Sequence, residues 1–179
     1  MTKMLMRAGL TVFLACLITS CGIAAPPDGP VRTTQPQDCS GGTFDFGTSG
    51  GAQPLGSSDL MLQKMLEARA NKQTIAMQDL AHSAGWSDEW DRMVEVGEHT
   101  ERDELNSRAQ TTGYCWKNLP PTSPMSDRPS DTYYLFVRNN RPVQFIQVRP
   151  SENPIILLRG VVLTKETVLR YYGSRLKPE

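Results

Sequence analysis

The stretch TYYLFVRNNRPVQFIQVRP, residues 132–150, decides the fold. Two runs rich in aromatic and β-branched residues flank Asn139-Asn140. Asparagine tolerates the positive φ of a two-residue hairpin turn, so the stretch reads as two antiparallel strands. That turn pairs Phe136 with Val143 and Tyr134 with Phe145 on one face. The other face has Leu135 across from Gln144 and Tyr133 across from Ile146. The first face is the better core candidate. Pro142 cannot donate to a ladder, so its side of the strand is expected to meet an edge or a bulge.

Working outward, PIILLRGVVL (154–163) is apolar on both faces and reads as a central, covered strand. Thr164 is placed to cap a last helix, KETVLRYYG, which Gly173 closes; the tail SRLKPE is expected to fray. Upstream, Trp90 to Val96 reads as a strand that Gly97 breaks. Thr100-Glu101-Arg102-Asp103 fits a capping box that opens a helix running to about Ala109. Gly113 stops that helix, and TGYCWKN (112–118) reads as a further strand. DLMLQKMLEARAN (59–71) is a helix with Ser58 as cap, and its apolar stripe holds Leu62, Met65 and Leu66, with Met61 and Ala68 alongside. QTIAMQDLAHSAGW fits either period; a short strand at its start is favoured, and a helix ended by Gly85 is the rival. The elements sum to an α+β domain: an antiparallel sheet of about five strands with helices packed on one face.

The N-terminus carries a different signal. Met1 to Arg7 holds Lys3 and Arg7 and no acid, Ala8 to Ile18 is almost entirely apolar, and Thr19, Ser20 and Cys21 follow. A basic, then apolar, then small order is that of a secretory signal, too short for a comfortable membrane span. Ile18-Thr19-Ser20-Cys21 resembles the bacterial lipobox: an aliphatic residue, two small ones and a cysteine. The resemblance implies a signal peptide over 1–20 and a diacylglyceryl group on Cys21, which becomes the first residue of the mature chain. A second likeness rests on WDRMVEV, then TERDEL, then the hairpin YLFVRNNRPVQFI. That order is similar to small bacterial envelope lipoproteins of uncharacterised function, over about Trp86 to Tyr172. It implies no catalytic residues.

The chain has 179 residues and 19 basic against 19 acidic side chains. Loss of Lys3 and Arg7 with the signal leaves 17 against 19, a net of about −2. Without a basic excess there is no electrostatic footprint for nucleic acid. Of the four cysteines, Cys16 leaves with the signal and Cys21 carries lipid. Cys39 and Cys115 remain, and an oxidising compartment favours one disulfide between them. It closes a loop of 76 residues, which the chain-entropy model values at roughly 4 kcal/mol. Between Gly22 and Ser58, 13 of 37 residues are Gly or Pro, so residues 21–58 read as a flexible tether and 59–179 as the single folded domain. Phe44 and Phe46 are placed to add a short strand, and a bond at Cys39 would pin that half of the tether to the domain.

No GxSxG, HExxH or P-loop is present, and no cofactor or metal is expected. His99 lies among Glu95, Glu98, Glu101 and Asp103, a pattern open to reading as a general base with acidic neighbours and equally as a solvated turn before a helix. The segment LPPTSPMSDRPSD excludes regular structure. The candidate binding surface is therefore Trp116 with Pro120, Pro121, Pro124 and Pro129. The expectation is a lipid-anchored, extracytoplasmic, non-catalytic binding or assembly module. Its partners would be the membrane, through the anchor, and an envelope protein or polymer. The alternative is an envelope hydrolase acting on wall polymers through His99 and its acids.

Overall fold

In the computed structural model, residues 38–47, 52–120 and 131–179 are described. The proposed signal peptide, Cys21, the first part of the tether, and Pro121, Pro124 and Pro129 lie outside them.

The hairpin forms as β5 (Thr132–Arg138) and β6 (Arg141–Val148). Asn139 and Asn140 have φ of 47° and 60°, the pair of positive values that a type I′ turn needs. Arg138 faces Arg141 and Val137 faces Pro142, as the turn dictates. A bulge then takes Val143 out of register, at the proline expected to mark one. Phe136 therefore faces Gln144, Leu135 faces Phe145 and Tyr134 faces Ile146, one residue away from the expected pairing. A slip of one residue exchanges the faces of the later strand. Both faces are nonetheless covered, so the hairpin tolerates it.

β5 sits between β6 and β3 (Arg92–Val96), and β7 (Val162–Thr164) adds outside β3, so the antiparallel order is β6-β5-β3-β7. One face carries Met93, Tyr134, Phe136, Ile146 and Leu163. It packs on α1 (Ser58–Ala70) through Met61, Met65 and Ala68, and on α2 (Met77–Ser83) through Met77, Leu80 and Ala81. The same core takes in Trp86, Trp90, and Leu169 and Leu176 of a second antiparallel sheet. That sheet has the order β2 (Thr74–Ala76), β8 (Val168–Tyr172), β9 (Arg175–Pro178).

The other face carries Val94, Val96, Leu135 and Val137, covered by Leu105 and Ala109 of α3 (Arg102–Ala109) and by Phe46 and Trp116. The fold class is α+β, as expected. The helices, however, lie on both faces and the strands divide into separate sheets, because the alternation of β3 and β5 is apolar on both sides.

Trp116 belongs to, and Phe46 directly follows, a parallel pair, β1 (Gly42–Asp45) against β4 (Tyr114–Lys117). The Cys39–Cys115 disulfide locks the pair, with Cα atoms 5.2 Å apart. A Cβ on Gly41 would sit 2.8 Å from the Tyr114 ring and 2.9 Å from the Thr112 carbonyl oxygen, so this crossing admits only glycine. The segment expected to be tether is thus part of the domain from Cys39 on, and the described residues belong to one unit, Gln35–Glu179.

Local expectations fare unevenly. β2 followed by α2 resolves the ambiguous stretch in favour of both readings, one after the other. The α1 cap is Ser57, one residue earlier than expected, accepting from the Leu60 N–H at 3.3 Å. The capping box at Thr100 does not form. Glu101 is the cap residue, and the Thr100 hydroxyl accepts from the Gly97 N–H at 3.1 Å instead. The last helix is absent: Val168–Tyr172 is a strand, and the tail expected to fray is its partner β9, with Leu176 fully buried. β-branched and aromatic residues alternating around Leu169 outweigh a capping signal from Thr164. The Thr167 hydroxyl accepts from the Thr164 N–H at 2.9 Å and closes a turn there. The strand expected over 154–163 is also corrected. Ile155 makes one isolated bridge to Leu176, Gly160 breaks the run at φ 85°, and β7 lies at a sheet edge rather than at its centre.

Candidate functional site

β6 is the outer strand of its sheet. In a pleated strand the N–H and C=O of one residue point to the same neighbour, and those of the next residue to the other. The Phe145 carbonyl accepts from the Ser58 hydroxyl at 3.2 Å, so Phe145 directs its backbone outward, away from β5. By the same alternation Gln147 does too. This edge, with which no other strand among the described residues pairs, floors a groove of about 790 Å³, walled by β1 on one side and the start of α1 on the other.

Each wall is fixed by a specific contact. Gln144 is buried, and its amide oxygen accepts from the Leu55 N–H at 3.0 Å. Its amide nitrogen donates to the Gly56 carbonyl at 2.8 Å and the Ser58 hydroxyl at 2.9 Å. This one side chain therefore ties the turn before α1 to β6. On the opposite wall Phe44 and Phe46 stack on Phe145 with ring centroids 6.1 and 5.4 Å away. The disulfide just before β1 holds that wall in place.

The rim is acidic. Asp45, Asp59, Asp131 and Glu152 line the groove, and Arg149 is the basic residue among the lining side chains. Asp45 accepts from the Gly47 N–H and the Asn118 amide, which hold its carboxyl below the usual carboxylate range. Asp131 accepts from the Gln147 amide at 2.6 Å. Glu152 stands 3.8 Å from Arg149. Asp59, in the first turn of α1, is exposed and offsets the positive end of the helix dipole.

The residues singled out from sequence fall elsewhere. Trp116 is a core residue, 2 % exposed, with its indole N–H donating to Asn106 at 2.9 Å. Pro120 is buried as well. The side chain expected to lead a binding surface thus anchors α3 to β4. His99 is exposed at φ 63° in the turn between β3 and α3. Glu95 stands opposite Tyr134 in the β3–β5 ladder, where burial pushes its carboxyl up against the opposing pull of Arg108 and Arg175. The second histidine, His82, meets Asp88 at 2.9 Å on the surface, and this contact holds the Asp88 carboxyl low. Among the described residues no cluster of His, Cys, Asp and Glu has the makings of a metal site, and no helix is long and apolar enough to cross a membrane.

Sequence reasoning did not find the groove. The usable signals were Pro142, which marked its strand as an edge, and Gln144, a polar residue in an otherwise apolar run. In comparisons with known proteins, no family model, no curated protein and no solved structure matches the chain.

Proposed function

We propose that this is a lipid-anchored, extracytoplasmic binding module of the bacterial cell envelope, and that its working face is the groove along β6. The observation that carries the binding reading is a strand edge, unpaired on that side among the described residues, lying in a groove of about 790 Å³. That volume is within the range of ligand sites, about 300–1,000 Å³. The location rests on Ile18-Thr19-Ser20-Cys21 after a basic and then apolar leader. The anchor is physically sufficient, since each buried CH₂ contributes about 0.8 kcal/mol and two acyl chains hold where one does not. The Cys39–Cys115 bond suits an oxidising compartment.

The test is site-specific photo-crosslinking in the host cell. A photoreactive residue at Gln147 is expected to trap an envelope component. The same residue at Leu158, exposed in the segment that precedes the far edge strand β7, is expected to trap none. Equal yields from the two positions would overturn the assignment of the groove as the working face.

A further inference from the structure

We infer that the groove takes a cationic polypeptide segment in extended conformation, paired to β6 as an additional strand. The inference rests on the reading of the groove as the working face and names the chemistry of its occupant.

Three observations converge. First, the floor is backbone. By strand alternation Gln147 and Phe145 direct N–H groups into the groove, the Phe145 carbonyl is held by the Ser58 hydroxyl, and among the described residues no further strand pairs with β6. An edge of this kind is a template for an incoming strand, with main-chain hydrogen bonds giving affinity and side pockets giving selectivity. From Val143 to Gln147 the floor runs about 13 Å, enough for about five extended residues. Second, the walls are spaced by fixed elements, the disulfide-locked β1 and the Gln144-tied start of α1, so the slot exists before anything enters it. Preformed sites lose less ordering entropy on binding. Third, the rim carries four carboxylates against one guanidinium. An occupant rich in lysine or arginine is attracted, and an acidic one is repelled. The same argument disfavours a second copy of this chain, which would bring its own acidic rim against this one. Pro142 and the bulge further blunt the edge at the turn end, where self-pairing would begin.

The test uses the full acylated chain in phosphatidylcholine nanodiscs, which add no net lipid charge. The probes are three pools of eight-residue peptides with randomised residues at every second position. The intervening positions are lysine in the first pool and glutamate in the second. The third is the lysine pool N-methylated at every backbone nitrogen, which keeps the charge and removes the pairing donors from both edges of the strand. Affinity is read by competition and pairing by amide hydrogen exchange. The lysine pool is expected to bind at least tenfold tighter than either other pool. It is also expected to slow exchange at Phe145 and Gln147 at least tenfold. Asp59→Asn combined with Asp131→Asn is expected to weaken lysine-pool binding at least fivefold while exchange in β3 and β5 stays unchanged. Equal binding of the methylated and unmethylated lysine pools overturns strand addition. Equal binding of the glutamate pool overturns the charge argument. Unchanged exchange at Phe145 and Gln147 overturns the site. Protection of those amides that rises with protein concentration before any peptide is added would show self-pairing instead. An unacylated Cys21 alongside intact peptide binding would remove the anchor and leave the groove; an acylated chain that binds none of the pools would remove the groove alone.

Discussion

Replacing Cys39 and Cys115 together by alanine removes the disulfide that ties the start of β1 to β4. The bond joins residues 76 apart. In the chain-entropy model, closing a loop of that length lowers the entropy of the unfolded chain by about 15 cal/mol/K, or about 4.5 kcal/mol at 25 °C. The native side of the balance also changes. β1 has four residues and a single pairing partner, and it is held to the core through the half-buried Phe44 and, just past its end, Phe46, 2 % exposed. Without the tie, holding β1 in place falls to those two rings and a short parallel ladder. Urea unfolding of the oxidised protein and of the double variant measures both effects. The expected loss is about 4 kcal/mol, or roughly 8–16 °C in Tm for a domain of this size. The m value separates two outcomes: it rises if β1 stays docked, because the unbridged unfolded chain exposes more surface, and it falls if β1 has already left the native state. A loss below about 1 kcal/mol with an unchanged m would refute the reasoning, since it would mean that neither the loop nor β1 depends on the bond.

Other expectations follow from single contacts. Gln144→Ala strands the Leu55 N–H and the Gly56 carbonyl in a buried turn; the cost should be about 2–3 kcal/mol in urea unfolding, against about 0.5 or less for exposed Gln147→Ala. Gly41→Ala drives a methyl into the Tyr114 ring and the Thr112 carbonyl and should cost about 1–3 kcal/mol, with faster exchange of the β1–β4 ladder amides as the local signature. Glu95 has a folded pKa raised above its ordinary 4.5 by burial, so its ionisation works against the fold: that burden is absent below the unfolded pKa and grows as pH rises through the folded one. Glu95→Gln should therefore raise Tm at neutral pH, and the gain should vanish at about pH 4 and below; a gain independent of pH would point to packing instead.

Much of the fold was legible because local chemistry and tertiary packing agree there. Asn139-Asn140 sets the turn, and the aromatic and β-branched runs beside it have no competing reading. The slip at Val143 was not legible, because both faces of the hairpin are apolar enough to accept either register. The C-terminal strands were misread for a related reason. Thr164 and Gly173 bracket a helix-length run, and nothing local reveals that Leu176 finds a place in the core through β9. Cys39 and Cys115 were legible by elimination among four cysteines, and the alternation at Phe44 and Phe46 marked the short strand β1, although the Gly-rich composition around it read as tether. The groove was hardest to see. Its floor is a strand edge, and an edge is a property of sheet order, which no run of residues carries. Trp116 misled because an indole near prolines suggests a surface, while its N–H partner, Asn106, lies on a helix that sequence alone cannot bring alongside.

The central claim is a module held to the membrane at Cys21 and locked by Cys39–Cys115. The most direct measurement is the intact mass of the protein extracted from host membranes without reducing agent. The account predicts a chain beginning at Cys21, heavier by a diacylglyceryl group and lighter by two hydrogens for the disulfide. A chain beginning elsewhere without lipid, or one that gains thiol reactivity at Cys39 and Cys115 before reduction, would contradict it.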